Sequence, residues 1–477
     1  MGAVTVTKRG IVIAGLWAAA LALLLAVAGL SLAFYFIHRF SPAPPSVDFP
    51  QPSNALEAQR QDIEQFSRLL AMDKAFSPAA REEANRQIAA LRAARVSLDG
   101  GHFRVALMRT VALADNGHTS LDGKKDALPN CVPIRSTWFA DGLYVLRAKA
   151  VYADLLGARV ESIDGKPAAD VLAALMRLHG GATGWRRVHA VLYVQSPEIL
   201  YGAGLGFRPD ETTWTLHLTN GTEATRTLSG EDCDREPNGL MTRWLSPQKT
   251  QGEPETWRGL MSTDSSLPVS LREFNTPFRR TWTAAGCSLS IQLKAIQDVG
   301  EFRIGDFLKA TSDEMARHRP CNVILDLRFN SGGDYTKAAG FASHLPSFVP
   351  PSGRIYILTG PQTFSAAITT AAFVKQAAGA RAIILGEQVG DRLAFYGEGN
   401  SGCLPHASLC VHYATGMHDY THQCREWGKC FWLNWLFPVQ VKSLQPDETI
   451  KMTFEDYVAH RDPVFERAVA LADGPPT

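Results

Sequence analysis

The chain has 477 residues, is 45% hydrophobic and 20% charged, and carries a formal net charge of +1. Its length suits two or three folded domains, and its composition excludes an intrinsically disordered chain. There is no basic block and no aromatic–basic interleave, which argues against a nucleic-acid partner.

Residues 11–37, IVIAGLWAAALALLLAVAGLSLAFYFI, contain no charged side chain. About 20 apolar residues in a helix cross the hydrocarbon core of a bilayer. The run is longer than the apolar part of a signal peptide, and no Ala-x-Ala site follows it. Lys8 and Arg9 precede it and His38 and Arg39 follow it, so charge asymmetry orients it only weakly. The expectation is a single-pass anchor in the cell (inner) membrane. Residues 1–10 then form a cytoplasmic tail, and the body lies in the periplasm or another extracytoplasmic space. A cleaved signal peptide is the alternative.

Residues 38–53 are proline-rich and predict a stiff, extended linker. The helical spacing of apolar residues over 54–96, broken at Ser77-Pro78, predicts two helices. A further amphipathic helix ends before Asp115-Asn116-Gly117, and His118 follows that break. Residues 54–140 are therefore assigned to a helical segment carrying His118. In 143–175 the pattern is strands, a tight turn at Ile163-Asp164-Gly165-Lys166, and a helix after Pro167. In 212–228 the alternation around Asn220-Gly221 predicts a hairpin. Residues 141–232 form a compact, mostly β module with one or two helices, and 233–287 connect it to a final domain over 288–477. There NVILDLRF, RIYILTG and RAIILGE are short runs apolar on both faces, separated by helical segments near 335–345 and 365–378. That order predicts a parallel sheet flanked by helices. A last helix is expected over 462–472.

The chain has eight cysteines, and Cys403, Cys410, Cys424 and Cys430 crowd into the 402–430 insert. An exported body makes disulfides the natural reading, with Cys403–Cys410 and Cys424–Cys430 as the simplest of three pairings. The spacings are too wide for a zinc site, so no metal is assigned. His406, His412, His418 and His422 in the same insert are expected on its surface, with a lid over a cleft as the sharper alternative.

Two stretches carry chemistry. LRFNSGGD, ending at Asp334, follows the first of the three strands named above. Gly332 and Gly333 bring free backbone amides close to a bound group, either a phosphate or the oxyanion of an acyl-transfer intermediate. No Walker or dinucleotide glycine pattern is present. Ser365 follows the second strand, at the start of a helix with small residues behind it. It is either a helix cap or a nucleophile where the helix dipole favours developing negative charge.

Taken in order, NVILDLRFNSGGD, TFSAAITTAAF, AIILGEQVG and HRDPVFERAVAL resemble the successive blocks of the C-terminal-processing and tricorn-like serine peptidases. ADNGHTSL and LLGARVESIDGKPAADVLAAL resemble the segment that precedes, and then forms, that group's PDZ-like module. The resemblance covers roughly residues 103–472. It implies a crotonase-like α/β core with a parallel sheet and flanking helices, a PDZ-like module over 141–232, and hydrolysis of peptide or protein substrates without metal or cofactor. It implies Ser365 as nucleophile, with an oxyanion hole from Gly332 or Gly333 and Ala366. The tail-specific branch pairs its serine with a lysine, but Arg392 stands at that position and a guanidinium cannot act as base. Lys375 lies about ten residues along the helix, roughly 1000° of rotation from Ser365. The tricorn-like branch uses a histidine, matched here by His118. Its orienting acid is matched by Gln440, with Glu398, Asp391 and Asp115 as substitutes; Asp334 is expected to cap the next helix. The missing acid leaves a second reading open, an inactive peptide-binding pseudo-peptidase.

Overall fold

The computed structural model describes residues 8–124, 128–233, 245–247, 256–261, 267–284 and 286–474. Most of the 1–10 tail and part of the 233–287 segment therefore fall outside the described residues.

Helix α1 (Lys8–Phe40) has one long stretch, Leu16–Phe40, with mean hydropathy 2.4 and none of its most apolar window buried. It is long and apolar enough to cross a membrane. The 38–53 stretch is extended, as its prolines require, but it is not a free tether. Phe40 is buried, and the carbonyls of Pro42, Pro45 and Pro50 accept hydrogen bonds from Tyr413, Gln65 and Gln61. Helices α2 (Ala55–Met72) and α3 (Pro78–Arg92) follow, with Asn54 and Ser77 capping their first turns. Helix α4 (Gly100–Ala112) then leads to Asp115, whose φ of 49° turns the chain into Asn116-Gly117-His118.

Strand β1 (Ser120–Gly123) opens the β part. Strands β2 (Ile134–Phe139), β3 (Gly142–Lys149), β4 (Arg159–Ile163) and β5 (Lys166–Pro167) come next, and helix α5 (Ala168–Leu175) starts after Pro167. Asp164 and Gly165 both have positive φ, which makes the tight β4–β5 turn. Helices α6 (Thr183–Tyr193) and α7 (Pro197–Gly202) precede the β6 (Glu211–His217)–β7 (Glu223–Ser229) hairpin. The module therefore holds more helix than the one or two expected. Its sheet, in the order β2-β3-β4-β6-β7, begins before residue 141. It also takes in β8 (Trp257–Gly259), which pairs with β3.

The last sheet has the order β18-β13-β12-β11-β10-β9, and its chain order shows how helices separate the strands. Strand β9 (Phe278–Trp282) is antiparallel to β10 (Ser288–Leu293), so the connecting segment supplies an edge of this sheet. Helix α8 (Ile304–His318) leads to β11 (Asn322–Asp326), α9 (Thr336–His344) to β12 (Ile355–Thr359), and α10 (Ala366–Ala378) to β13 (Ala382–Gly386). Strands β10 to β13 are parallel, and nearly every residue of β10 to β12 is buried, as sheets covered on both faces require.

Strands β14 (Ala394–Gly397) and β15 (Asn400–Cys403) lead into the insert, which forms β16 (Leu409–Tyr413) and β17 (Gly416–Asp419). It is built into the body, since β16 pairs with both β15 and β1. Short helices α11 (Leu433–Leu436) and α12 (Phe454–Val458), strand β18 (Glu448–Thr449) and helix α13 (Pro463–Asp473) complete the chain. The cysteines form four disulfides: Cys131–Cys233, Cys287–Cys321, Cys403–Cys410 and Cys424–Cys430.

One buried ion cluster ties the sheet to the C-terminal helix. Arg328, just past β11, donates to both oxygens of Asp326 at 2.8 and 3.0 Å and to both oxygens of Asp462 at 2.7 and 2.9 Å. Asp462 also caps α13 and accepts from Ser270. Burial pushes its carboxyl up, but Arg328 and these hydrogen bonds outweigh burial and hold it below the usual range. Removing one partner of a buried charge cluster strands the others, at about 3–5 kcal/mol. Arg328→Met should therefore lower the stability of the folded chain by about that amount in chemical denaturation. A loss under about 1 kcal/mol, the value of a surface pair, would show that the cluster is not structural.

Candidate active site

Ser365 joins β12 to α10 through Gly360-Pro361-Gln362-Thr363-Phe364. Its φ of 53° and ψ of −123° lie where only glycine is comfortable. It is not acting as a helix cap: its side chain makes no capping bond, and its Oγ has no hydrogen-bond partner among the described residues. The strained turn is fixed from both sides. Phe364 donates its N–H to the Asn330 carbonyl at 3.0 Å, and Thr363 Oγ1 donates to the Leu327 carbonyl at 2.8 Å. The loop after β11 and the loop after β12 are thus bolted together below the serine.

The glycine loop lies directly against Ser365. A Cβ on Gly332, whose φ is 115°, would stand 2.6 Å from the Ser365 Cβ and 3.1 Å from the Ala366 nitrogen. A Cβ on Gly333 would meet the Ile296 carbonyl at 2.5 Å. Among the three amides predicted as oxyanion donors, that of Gly332 is already used, donating to Asn330 Oδ1 at 2.9 Å. The Gly333 and Ala366 N–H groups have no hydrogen-bond partner among the described residues, so these two are the available pair. Asp334 behaves as a capping residue, accepting from the N–H and Oγ1 of Thr336.

His118 sits beside this turn. Its ring stacks on Phe364, the residue before Ser365, at 4.4 Å between centroids, and on Phe395 at 5.3 Å. Gly117 permits this approach, because a Cβ there would lie 2.6 Å from the Phe364 ring. Both ring nitrogens are buried and neither has a hydrogen-bond partner among the described residues. No hydrogen bond joins the imidazole to the serine; the ring that His118 packs on belongs to Phe364, the immediate chain neighbour of Ser365. Burial, with smaller contributions from His418 and His179, lowers the His118 pKa to about 3.

None of the predicted orienting groups bonds to His118. Gln440 donates to the Thr421 carbonyl at 2.9 Å, well along the insert. Asp115 pairs with Arg186 and, at 2.7 Å, with Arg392. Asp391 accepts from the Gly117 N–H at 3.2 Å and so holds the backbone next to the histidine; burial raises its pKa to about 6. Glu398 lies 3.3 Å from Nε2 of His418. Lys375 donates to the Ala382 carbonyl, away from the serine.

His418 was not expected here. It is 3% exposed, in contrast to a surface role, and its ring stacks on Phe395 at 5.1 Å. Its Nδ1 lies 3.1 Å from Asn434 Oδ1 and 3.3 Å from the Tyr420 hydroxyl, which in turn bonds Thr369 at 2.6 Å, one turn beyond Ser365. The result is a continuous ladder, His418–Phe395–His118–Phe364–Trp185, whose last step stacks at 4.0 Å. The signal in the sequence was the alternation over 416–420, where Gly416, His418 and Tyr420 point inward. The other insert histidines are less buried: His406 bonds Gln61, and His422 bonds Asp419.

A cavity of about 210 Å³ lies on the near side of the Gly360–Phe364 turn. Thr137, Trp138 and Phe139 of edge strand β2, Arg187, Pro361 and Gln362 line it. Neither Ser365 nor His118 is part of its wall.

No protein-family model and no curated protein matches the sequence. Solved structures do. The structure of a CPAF S499A mutant superposes with a TM-score of 0.57 at 14% identity, over 89% of this chain and 99% of that one. Mature CPAF complexed with lactacystin gives 0.54 at 15%, over 88% and 100%. A weaker likeness, with a TM-score of 0.38 at 11% identity over 82% and 93%, is to the photosystem II D1 C-terminal processing protease. These neighbours fall in the C-terminal-processing peptidase group that the sequence motifs resemble. At such identities the likeness to CPAF defines the fold and does not transfer any residue's role.

Two outcomes follow from the geometry. Gly332→Ala forces a side chain into the Ser365 Cβ at a positive φ, a backbone cost of about 1–2 kcal/mol before any displacement. The variant should fold less stably by at least that much in a denaturant titration, whereas Gly165→Ala, open around its Cβ, should show only the backbone part. The second outcome concerns acid. His118 is neutral in the folded chain down to about pH 3, whereas an unfolded histidine binds a proton below about 6.5. Stability from this group is therefore present above 6.5 and lost as pH falls from 6.5 toward 3. Asp391 acts with the opposite sign, losing stability as pH rises from about 4 toward 6. His118→Gln should remove up to about 1.4 kcal/mol per pH unit, one proton's worth, from the slope of stability against pH between 4 and 6. An unchanged slope would mean that the imidazole protonates freely in the fold.

Proposed function

We propose that the chain is a membrane-anchored, exported serine peptidase of the tricorn-like type, in which Ser365 attacks a peptide carbonyl and His118 takes its proton. The observation that carries this reading is Ser365 itself. A non-glycine residue is held at positive φ, its hydroxyl uncapped, with a glycine loop pressed against it. Such strain persists only where the surroundings enforce it, and it clusters at functional turns. The free amides of Gly333 and Ala366 bind the oxyanion of the tetrahedral intermediate. A neutral imidazole is the form a general base requires, and catalytic hydrogen bonds commonly tighten only when substrate arrives. Substrate binding then draws His118 Nε2 or Nδ1 onto the hydroxyl. As the tetrahedral intermediate collapses to the acyl-enzyme, the imidazolium gives its proton to the leaving amine. In the second half-reaction His118 takes a proton from the attacking water and returns it to the Ser365 oxygen as the acyl group leaves as an acid.

In this reading the β2–β7 sheet with α5 is a PDZ-like module over about 141–232, and the β10–β13 sheet is the crotonase-like core within 288–477. Edge strand β2 faces the cavity before the Ser365 turn, so an extended peptide added to β2 runs toward the serine. The exposed apolar α1 spans the membrane, and four disulfides suit an extracytoplasmic body.

The unpartnered nitrogens of His118 and the engaged Gln440 favour one rival, a peptide-binding protein without turnover. A fluorophosphonate probe applied to the full chain separates the two. In the peptidase reading the wild-type chain is labelled on one serine, Ser365→Ala is not labelled, and His118→Gln labels about 10²- to 10⁴-fold more slowly, the usual worth of a general base. A folded wild-type chain that takes up no probe, with peptide substrate also uncut, would leave only the binding reading.

A further inference from the structure

We propose that the Cys424–Cys430 loop and helix α11 form a bilayer-docking surface that seats the folded body on the membrane interface. The observation is an aromatic patch left exposed beside the end of α1. Trp427, at the tip of the disulfide-closed loop, is 58% exposed, Leu436 is 64% exposed and Trp435 is 37% exposed. Trp427 and Trp435 stack on each other at 4.9 Å, so the exposed rings form one surface rather than scattered side chains. Contiguous exposed apolar surface of this kind marks an interaction site.

Its position identifies the occupant. Tyr35 stacks in parallel on Trp427 at 5.9 Å, and Phe36 stacks on Trp432 at 5.1 Å. The end of α1 is fixed there by the Phe40 carbonyl, which accepts from the Gly399 N–H and from Thr415 Oγ1. The patch therefore lies beside the last turn of the apolar helix, at the height where its uncharged run ends at His38 and Arg39. Tryptophan and tyrosine favour this level of a bilayer, because the ring is apolar and its N–H or O–H stays hydrated. Arg39 runs along Gly428 in the same loop, whose Cβ position would lie 3.7 Å from Nε. Lys429 is paired with Glu426, so the surface is aromatic rather than strongly basic, and it fits a zwitterionic interface without needing anionic lipid. The seat is also close to the candidate site, since Phe431 packs edge-on against Phe40 and contacts His418 at 5.6 Å. A body held this way presents its cleft to peptide chain near the membrane surface.

The inference rests on reading α1 as a membrane span, and the test keeps the two apart. The full chain is reconstituted into phosphatidylcholine vesicles carrying lipids brominated either just below the headgroup or deep in the acyl chain, and tryptophan fluorescence is recorded. Trp17, in α1, reports the span; Trp427 and Trp435 report the seat. Docking predicts that shallow bromines quench the wild-type chain and that Trp427→Phe/Trp435→Phe loses most of that shallow quenching. Unchanged shallow quenching in the double variant overturns the docking surface, even where Trp17→Phe abolishes deep quenching and so upholds the span. If Trp17→Phe changes nothing, the span fails, and docking stands only if the double variant still loses the shallow signal. Cross-linking of Trp427 to a second copy of the chain, in place of quenching, also overturns the proposal.

Discussion

The structure depends first on a single buried guanidinium. Arg328 lies at the end of the central strand, holds Asp326 in the same strand and Asp462 at the start of the C-terminal helix, and leaves neither carboxylate without a partner. Placing three charges in a low-dielectric interior is tolerable only when each satisfies the others. Once it is made, the chain must leave the strand at one place and in one direction. Phe329, Asn330 and the two glycines then follow along a fixed path, with Asn330 bonding the Leu293 carbonyl, the Gly332 amide and the Phe364 amide.

That path explains why the serine can be strained. A residue at positive φ relaxes unless its neighbours prevent it. Here the Thr363 and Phe364 contacts anchor one side of Ser365, the buried small-residue face of α10 anchors the other, and Gly332 occupies the space in front. Slim residues after Ser365 let Ala366 to Val374 of α10 lie buried against their surroundings, which answers for the run of alanines and threonines behind the hydroxyl.

Rings govern the other half of the site. His118 lies between Phe364 and Phe395 and His418 beyond Phe395, and further on His179 and His189 stack at 3.7 Å near Trp185. Burial holds His118, His179 and His189 toward their neutral forms. The β14–β17 segment supplies Phe395 and His418, and it is clamped in turn by the end of α1 and by the proline-rich stretch. The N-terminal segment is thus part of the platform on which the candidate site is built, although its composition is that of a tether.

Much of the fold was legible in the sequence because it is local. Apolar runs bounded by glycine set the parallel strands, Asn220-Gly221 and Asp164-Gly165 set turns of the antiparallel middle sheet, and Asn54 and Ser77 began helices where their side chains can cap them. The glycine loop and Ser365 were also legible, because their order along the chain places both at the ends of neighbouring parallel strands. The surroundings of His118 were not. His418, the engagement of Gly332 by Asn330, and the partners taken by Asp115, Asp391, Glu398 and Gln440 arise from contacts between segments far apart in the chain, and no spacing encodes them. The docking of residues 38–53 was equally hidden, since a proline-rich segment has the same extended backbone free or bound. The sequence by itself determined which residues could do chemistry and which backbone each would sit on. Tertiary packing alone decided which of them face one another, because that depends on how rings and charges from distant segments fill one interior.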